Sequence, residues 1–137
     1  MKKLISFILA AIMMFSCSAM AYAQETDISP LYDQNEVTNH PAFPLVVMHP
    51  TKGTVIGYLY GAPSVQHNGT NYSRILRIDF EVERHDGDYR MSFTQTRKSD
   101  NKIDVTITCV SLSGGNTVTC TYRFESNEDG QCWVTPR

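Results

Sequence analysis

The sequence predicts an all-β fold: a small antiparallel meander that closes into a barrel or a two-sheet sandwich, behind a cleaved signal peptide. Three observations carry this expectation. Residues 74–84 and 103–109 alternate apolar and polar with a period of two, the mark of half-buried strands. Asp86-Gly87 and Gly114-Gly115 stand between apolar-periodic runs, where tight hairpin turns belong. No segment beyond residue 23 has an apolar stripe of helical period long enough to cover a sheet, so the strands must cover one another.

Residues 1–23 have the three parts of a secretory signal. Lys2 and Lys3 supply the positive start. Leu4 to Phe15 is uncharged and apolar apart from Ser6, and Ala21-Tyr22-Ala23 offers the small residues a signal peptidase accepts. The apolar run is too short to span a bilayer, which takes roughly 20 residues, so no transmembrane span is expected in the mature chain. Ser16-Cys17 opens a second route, because a small residue before cysteine is where a lipoprotein signal is cut. Met14 and Phe15 fit that pattern badly. The expectation is therefore a periplasmic or secreted product starting at Gln24. The alternative is an outer-surface lipoprotein anchored through Cys17.

Cleavage after Ala23 leaves one domain by length and takes the formal charge from −2 to −4 as the two lysines leave. A mildly acidic surface argues against a nucleic-acid partner, which calls for a basic face. Residues 24–44 read as an irregular arm with prolines at 30, 41 and 44. Ser29-Pro30 could cap a helical turn running through Val37, and residues 45–137 read as the β domain.

Within that domain, Leu45 to Met48 is a short apolar run. Thr54 to Gly61 places Ile56, Tyr58 and Tyr60 on one strand face and Val55, Gly57, Leu59 and Gly61 on the other. Neither face is polar, so both should be covered, with the glycines admitting another backbone or an aromatic ring at close range. Residues 62–72 read as a loop. Leu76, Ile78, Phe80 and Val82 then share an apolar face. A type I′ turn at Asp86-Gly87 sets Glu83 against Arg90, Val82 against Met91 and Phe80 against Phe93. A second turn at Gly114-Gly115 sets Cys109 against Cys120, Ile107 against Tyr122, Val105 against Phe124 and Thr108 against Thr121. Gln131 to Thr135 returns as a last strand with Trp133 directed inward.

Three cysteines remain after cleavage, in a compartment where disulfides persist. Directly opposed strand residues have Cα atoms about 4.5–5.5 Å apart, within disulfide range. Cys109 and Cys120 are thus either bridged or a pair of buried free thiols. Cys132, beside an inward Trp133, is expected to face out as a free thiol. No cysteine pair has zinc-ligand spacing, and His40, His49, His67 and His85 read as separate, solvated loop or turn residues, so neither a metal nor another cofactor is expected. No nucleophile-elbow or phosphate-loop motif occurs, and no catalytic residue is nominated. Among the aromatics, Tyr72 and Tyr89, next to loop and turn, are the expected partner contacts, whereas Tyr58, Tyr60 and Trp133 are expected to pack.

These features leave a non-catalytic extracytoplasmic binding domain for a protein or glycan partner as the leading expectation. A small secreted hydrolase and an envelope structural protein held through Cys17 are the alternatives. Amino-terminal sequencing of the exported protein is expected to begin at Gln24; a lipidated Cys17 terminus would replace the soluble product with the anchored one.

Overall fold

The computed structural model describes residues 35–137; the signal peptide, Cys17, Ser29 and Pro30 lie outside the described residues. Eight strands follow one another: β1 (Glu36–Asn39), β2 (Phe43–Met48), β3 (Val55–His67), β4 (Ser73–Arg84), β5 (Tyr89–Ser99), β6 (Lys102–Ser111), β7 (Thr117–Ser126) and β8 (Cys132–Pro136). All pairings are antiparallel, in two sheets that do not close into a barrel. In sheet A, β3 is central, with β1 and β2 sharing one of its edges and β4 on the other. Sheet B runs β5-β6-β7-β8. The stretch 36–44, read from sequence as part of an irregular arm, supplies β1 and the start of β2, and Val37 is a strand residue.

A single apolar cluster joins the sheets. Leu45, Val47, Leu59, Val65 and Ile75 come from sheet A, and Val105, Ile107, Cys109 and Phe124 from sheet B. Each such side chain, fully buried, contributes on the order of 1.5–3 kcal/mol. Gly57 and Gly61 are the gaps that make the fit possible. A Cβ on Gly61 would lie 2.8 Å from the Phe124 ring and 3.0 Å from that of Phe80, and one on Gly57 would meet the Met91 sulfur. Close approach over these glycines is what the sequence led one to expect, by aromatic rings at Gly61 and by the Met91 sulfur and the Glu83 backbone at Gly57.

The turn at Asp86-Gly87 does not form a hairpin. β4 pairs with β3 along its whole length, from Gly57 opposite Arg84 to His67 opposite Ser73. β5 pairs with β6, so residues 85–88 carry the chain from one sheet to the other. His85 and Asp86 both donate their backbone N–H to the Ile56 carbonyl, at 3.0 Å each, and Gly87 lacks the positive φ of a type I′ turn. Val82 consequently lies opposite Leu59, and Met91 opposite Cys109. Phe80 and Phe93 do meet, with ring centroids 4.6 Å apart, but across the two sheets. A period-two pattern marks which residues point inward; it does not say whether an inward residue meets a strand neighbour or the opposing sheet. What wins for β4 is a partner strand that extends through residues 62–67, read from sequence as loop. The hairpin is closed by Asn68, whose Oδ1 accepts the N–H groups of Thr70, Asn71 and Tyr72. A bulge between Ser64 and Val65 puts Ile75 inside and leaves Leu76 42% exposed, the reverse of strict alternation.

The β6–β7 hairpin forms two residues away from the expected register. Cys109 faces Val118, Ile107 faces Cys120, Val105 faces Tyr122 and Thr106 faces Thr121. An even displacement keeps every side chain on its face, which is why the apolar pattern fits both registers. The turn chooses between them. The observed pairing centres the turn on Ser113-Gly114, with Gly114 at φ +81°. Ser111 and Ser113 each donate a hydroxyl to Asp88 Oδ2, at 3.0 and 2.9 Å, which holds the turn one step earlier along the chain.

The return strand is also as expected, but its faces are inverted. Trp133 points out, 41% exposed, its indole N–H directed at Glu125 Oε2 at 3.3 Å, while Cys132 and Val134 pack inward. The β7–β8 turn sets this parity. Asn127 N–H donates to the Gln131 carbonyl, Asn127 Oδ1 accepts from the Asp129 and Gln131 amides, and Gly130 takes φ +78°, so Val134 falls opposite the buried Phe124. A Cβ on Gly130 would also land on the His67 imidazole. Gly130→Ala is therefore expected to destabilise the domain by about 2 kcal/mol or more, lowering Tm by roughly 8 °C or more in a thermal melt. A melt within a degree of wild type would show that this turn does not fix β8.

Candidate functional site

Inward glycines decide where the tyrosines of β3 go. With Gly57 and Gly61 against the opposite sheet, the alternating Tyr58 and Tyr60 must stand on the outer face of sheet A. Their rings are nearly parallel, 19° apart, with centroids separated by 5.8 Å, and both are half-buried. Register supplies their neighbours. Tyr58 lies between Val46 of β2 and Glu83 of β4, and Tyr60 between Pro44 and Glu81. His85 closes the row, its ring edge-on to Tyr58 at 5.2 Å and its Nε2 2.8 Å from Glu83 Oε1. Hydrogen bonding toward Glu83, then burial and the charges of Glu83, Tyr58 and Glu81, hold the Tyr60 phenol above its ordinary value. It stays a neutral donor. The outcome is a short aromatic row edged on one side by two exposed carboxylates.

A second constellation occupies the corner where β1, β3 and the β7–β8 turn meet. His67, 7% exposed, shares a 2.9 Å hydrogen bond between Nε2 and Thr38 Oγ1, and its Nδ1 is buried without a partner. His40 Nε2 donates to the Gly130 carbonyl at 2.7 Å, and Ser73 and Ser126 hydroxyls share a hydrogen bond. The expected picture of four separate solvated histidines is corrected here: His67 is a core residue, and His40 and His67 converge on Gly130. The signal was faint, because β3 had to run through His67 before that side chain could point inward. Chemically the corner is a brace. Both imidazoles are engaged by a threonine and a backbone carbonyl instead of by a carboxylate that would orient a general base.

Tyr72, expected at a partner contact, is half-buried and donates its hydroxyl to Gln66 Oε1 at 3.2 Å. Tyr89 is 6% exposed, edge-on to His49, because residue 89 starts β5 on its inner face. Of the three expected to pack, Trp133 is exposed, and Tyr58 and Tyr60 are half-buried as Tyr72 is. The signal that identifies Tyr58 and Tyr60 was present in Gly-Tyr-Leu-Tyr-Gly: glycines and tyrosines occupy opposite faces, and the glycine face is the one a neighbouring sheet can approach.

Cys109, Cys120 and Cys132 are all free thiols, so of the two alternatives for Cys109 and Cys120 the structure has the unbridged pair. In the observed register Cys109 and Cys120 occupy diagonal positions on the inner face, and Cys132 has turned inward as well. Burial pushes the Cys109 and Cys132 thiols up to about 11 and raises that of Cys120, the opposite of what a nucleophilic cysteine requires. Among the described residues, no group of three metal-ligating side chains comes together and no helix is long and apolar enough to cross a membrane. No protein family, curated protein or solved structure matches the chain.

The raised thiols imply a pH dependence with a definite sign. A thiol whose folded pKa exceeds its unfolded value stabilises the fold fully below the unfolded value, near 9, and that contribution is lost as pH climbs toward about 11. Denaturant midpoints should therefore fall between pH 9 and 11 by more in wild type than in a Cys109→Ala, Cys132→Ala variant. At pH 8 the three thiols should react with a disulfide reagent only after unfolding. Rapid native labelling of Cys132 would place β8 outside the core.

Proposed function

We propose that this chain is an exported, non-catalytic binding domain that holds a glycan against the outer face of sheet A. The observation that carries the reading is the near-parallel Tyr58–Tyr60 pair, with Glu81 and Glu83 in register beside it. Aromatic rings offer the apolar C–H faces of a pyranose a matching surface, and neighbouring carboxylates accept hydrogen bonds from sugar hydroxyls. Val46 and Pro44 flank the rings on the other side, so the row continues across two strands of a sheet. Side chains fixed on strands lose little freedom when a ligand arrives. The amino-terminal signal supports a location where glycans are met, in the periplasm or outside the cell.

A hydrolase finds less support in the same geometry. The two imidazoles brought together at Gly130 are committed to a threonine and a backbone carbonyl, and the thiols are deactivated by burial.

An oligosaccharide array followed by calorimetry on the best binder tests the proposal. Tyr58→Ala and Tyr60→Ala should each weaken binding roughly tenfold or more, the size expected of aromatic anchors, while leaving the circular dichroism spectrum unchanged. An array without binders, or a doubly substituted protein that binds like wild type, would remove the glycan from this face.

A further inference from the structure

Sheet B has its own surface feature, unrelated to the tyrosine row. At the start of β5, register sets Arg90 opposite Val110 and Ser92 opposite Thr108. With Leu112 just beyond the end of β6, Arg90, Ser92 and Val110 line an open groove of about 350 Å³. Leu112 is 64% exposed and Val110 43% exposed, whereas the rest of this face of the β6–β7 hairpin is dominated by threonines. An exposed leucine on a loose loop would need no explanation. This one is fixed.

Asp88 does the fixing. Its backbone carbonyl accepts the Leu112 N–H at 2.7 Å, and its Oδ2 accepts the hydroxyls of both flanking serines, Ser111 and Ser113. Three hydrogen bonds from one residue hold Leu112 beside Val110, so the apolar wall exists before any ligand arrives. Two of these bonds engage Oδ2 of the Asp88 carboxylate, two residues from Arg90. Among the described residues, no carboxylate lies within ion-pairing distance of Arg90, while five other ion pairs do form. The groove thus combines a preformed apolar wall with an uncommitted guanidinium at its side.

We propose that this groove binds a small apolar carboxylic acid, its hydrocarbon body against Val110 and Leu112 and its carboxylate paired with Arg90. The volume is at the small end of ligand sites, which run from about 300 to 1,000 Å³, and suits a medium-length acyl chain. The planar fork of arginine matches a carboxylate in two parallel hydrogen bonds, so the head group fixes orientation while the apolar wall supplies contact area. Ser92, whose hydroxyl makes only a 3.5 Å bond to the Thr108 carbonyl, can turn to the second face of the same carboxylate.

The test is an amide chemical-shift titration of the mature protein with decanoate, decanol and acetate, each below its aggregation limit. Decanoate should shift resonances at Arg90, Ser92, Val110 and Leu112. Decanol and acetate should bind at least about tenfold more weakly, since each lacks one half of the recognition. Arg90→Gln should weaken decanoate about tenfold and leave decanol unchanged, with partial recovery in Arg90→Lys; Leu112→Ser should weaken both long-chain ligands. The dispersed amide spectrum reports that each variant is folded, and a Tyr58→Ala, Tyr60→Ala protein should bind decanoate as wild type does. The proposal is overturned by shifts centred elsewhere, by decanol binding as tightly as decanoate, or by Arg90→Gln without effect. Tighter binding of a peptide ending in a free leucine carboxylate would also overturn it, assigning the groove to a protein terminus.

Discussion

Phe124 sits where the two sheets meet, and its seat is the absence of a side chain at Gly61. The ring is fully buried, lies edge-on to Phe43 with centroids 6.0 Å apart, and comes close enough to β3 that any Cβ there would collide with it. Close-packed interiors tolerate little mismatch, so this contact constrains the spacing of the sheets and the phase of both strands. With Gly61 inward, Tyr60 is outward; with Phe124 inward, Val134 follows it and Trp133 is outward. The exposed features of both sheets are thus fixed from inside.

The polar interactions divide into those that hold strands and those that hold turns. Arg123 and Asp104 form a bidentate pair on the outer face of sheet B, at 2.6 and 3.0 Å, and the Arg123 guanidinium keeps the Asp104 carboxyl below its usual range. Asp88 and Asn68 act on turns, each gathering several donors on one side-chain oxygen. Tyr122 spans the interior from sheet B, its hydroxyl donating to the Val46 carbonyl at 2.7 Å beneath the tyrosine row. That bond ties the strand flanking the proposed glycan face to the opposite sheet. At the far corner, the unpartnered Nδ1 of His67 is a cost on the order of 1–3 kcal/mol that the surrounding packing offsets.

The two proposed surfaces differ in chemistry because the outer faces of the two sheets differ. Sheet A turns out tyrosines, glutamates and a histidine; sheet B turns out threonines on the β6–β7 hairpin, with Val110 and Leu112 apolar at one end and Trp133 on β8. One faces a hydroxyl-rich ligand and the other an amphipathic anion, and neither depends on the other.

How much of this was legible in the chain follows from what a period of two can encode. Alternation fixed the strands from residue 74 onward, the polar and apolar faces of β6 and β7, and the all-β class. Asn127-Glu128-Asp129-Gly130 marked a real turn. Gly57 and Gly61 announced a close approach from another layer. Partner choice was beyond that code. Phe80 and Phe93 satisfy a hairpin and a face-to-face stack equally well, and a two-residue slip between β6 and β7 leaves every side chain on its face. Those choices rest on long-range terms: the extension of β3 through His67, the crossing of residues 85–88 between sheets, and the grip of Asp88 on a turn more than twenty residues away. The sequence by itself determined the all-β class and which residues are buried along β6 and β7. Only the tertiary structure decided which of them touch, and through that, which tyrosines, thiols and histidines are exposed, because contact between distant strands depends on three-dimensional fit that local periodicity does not record.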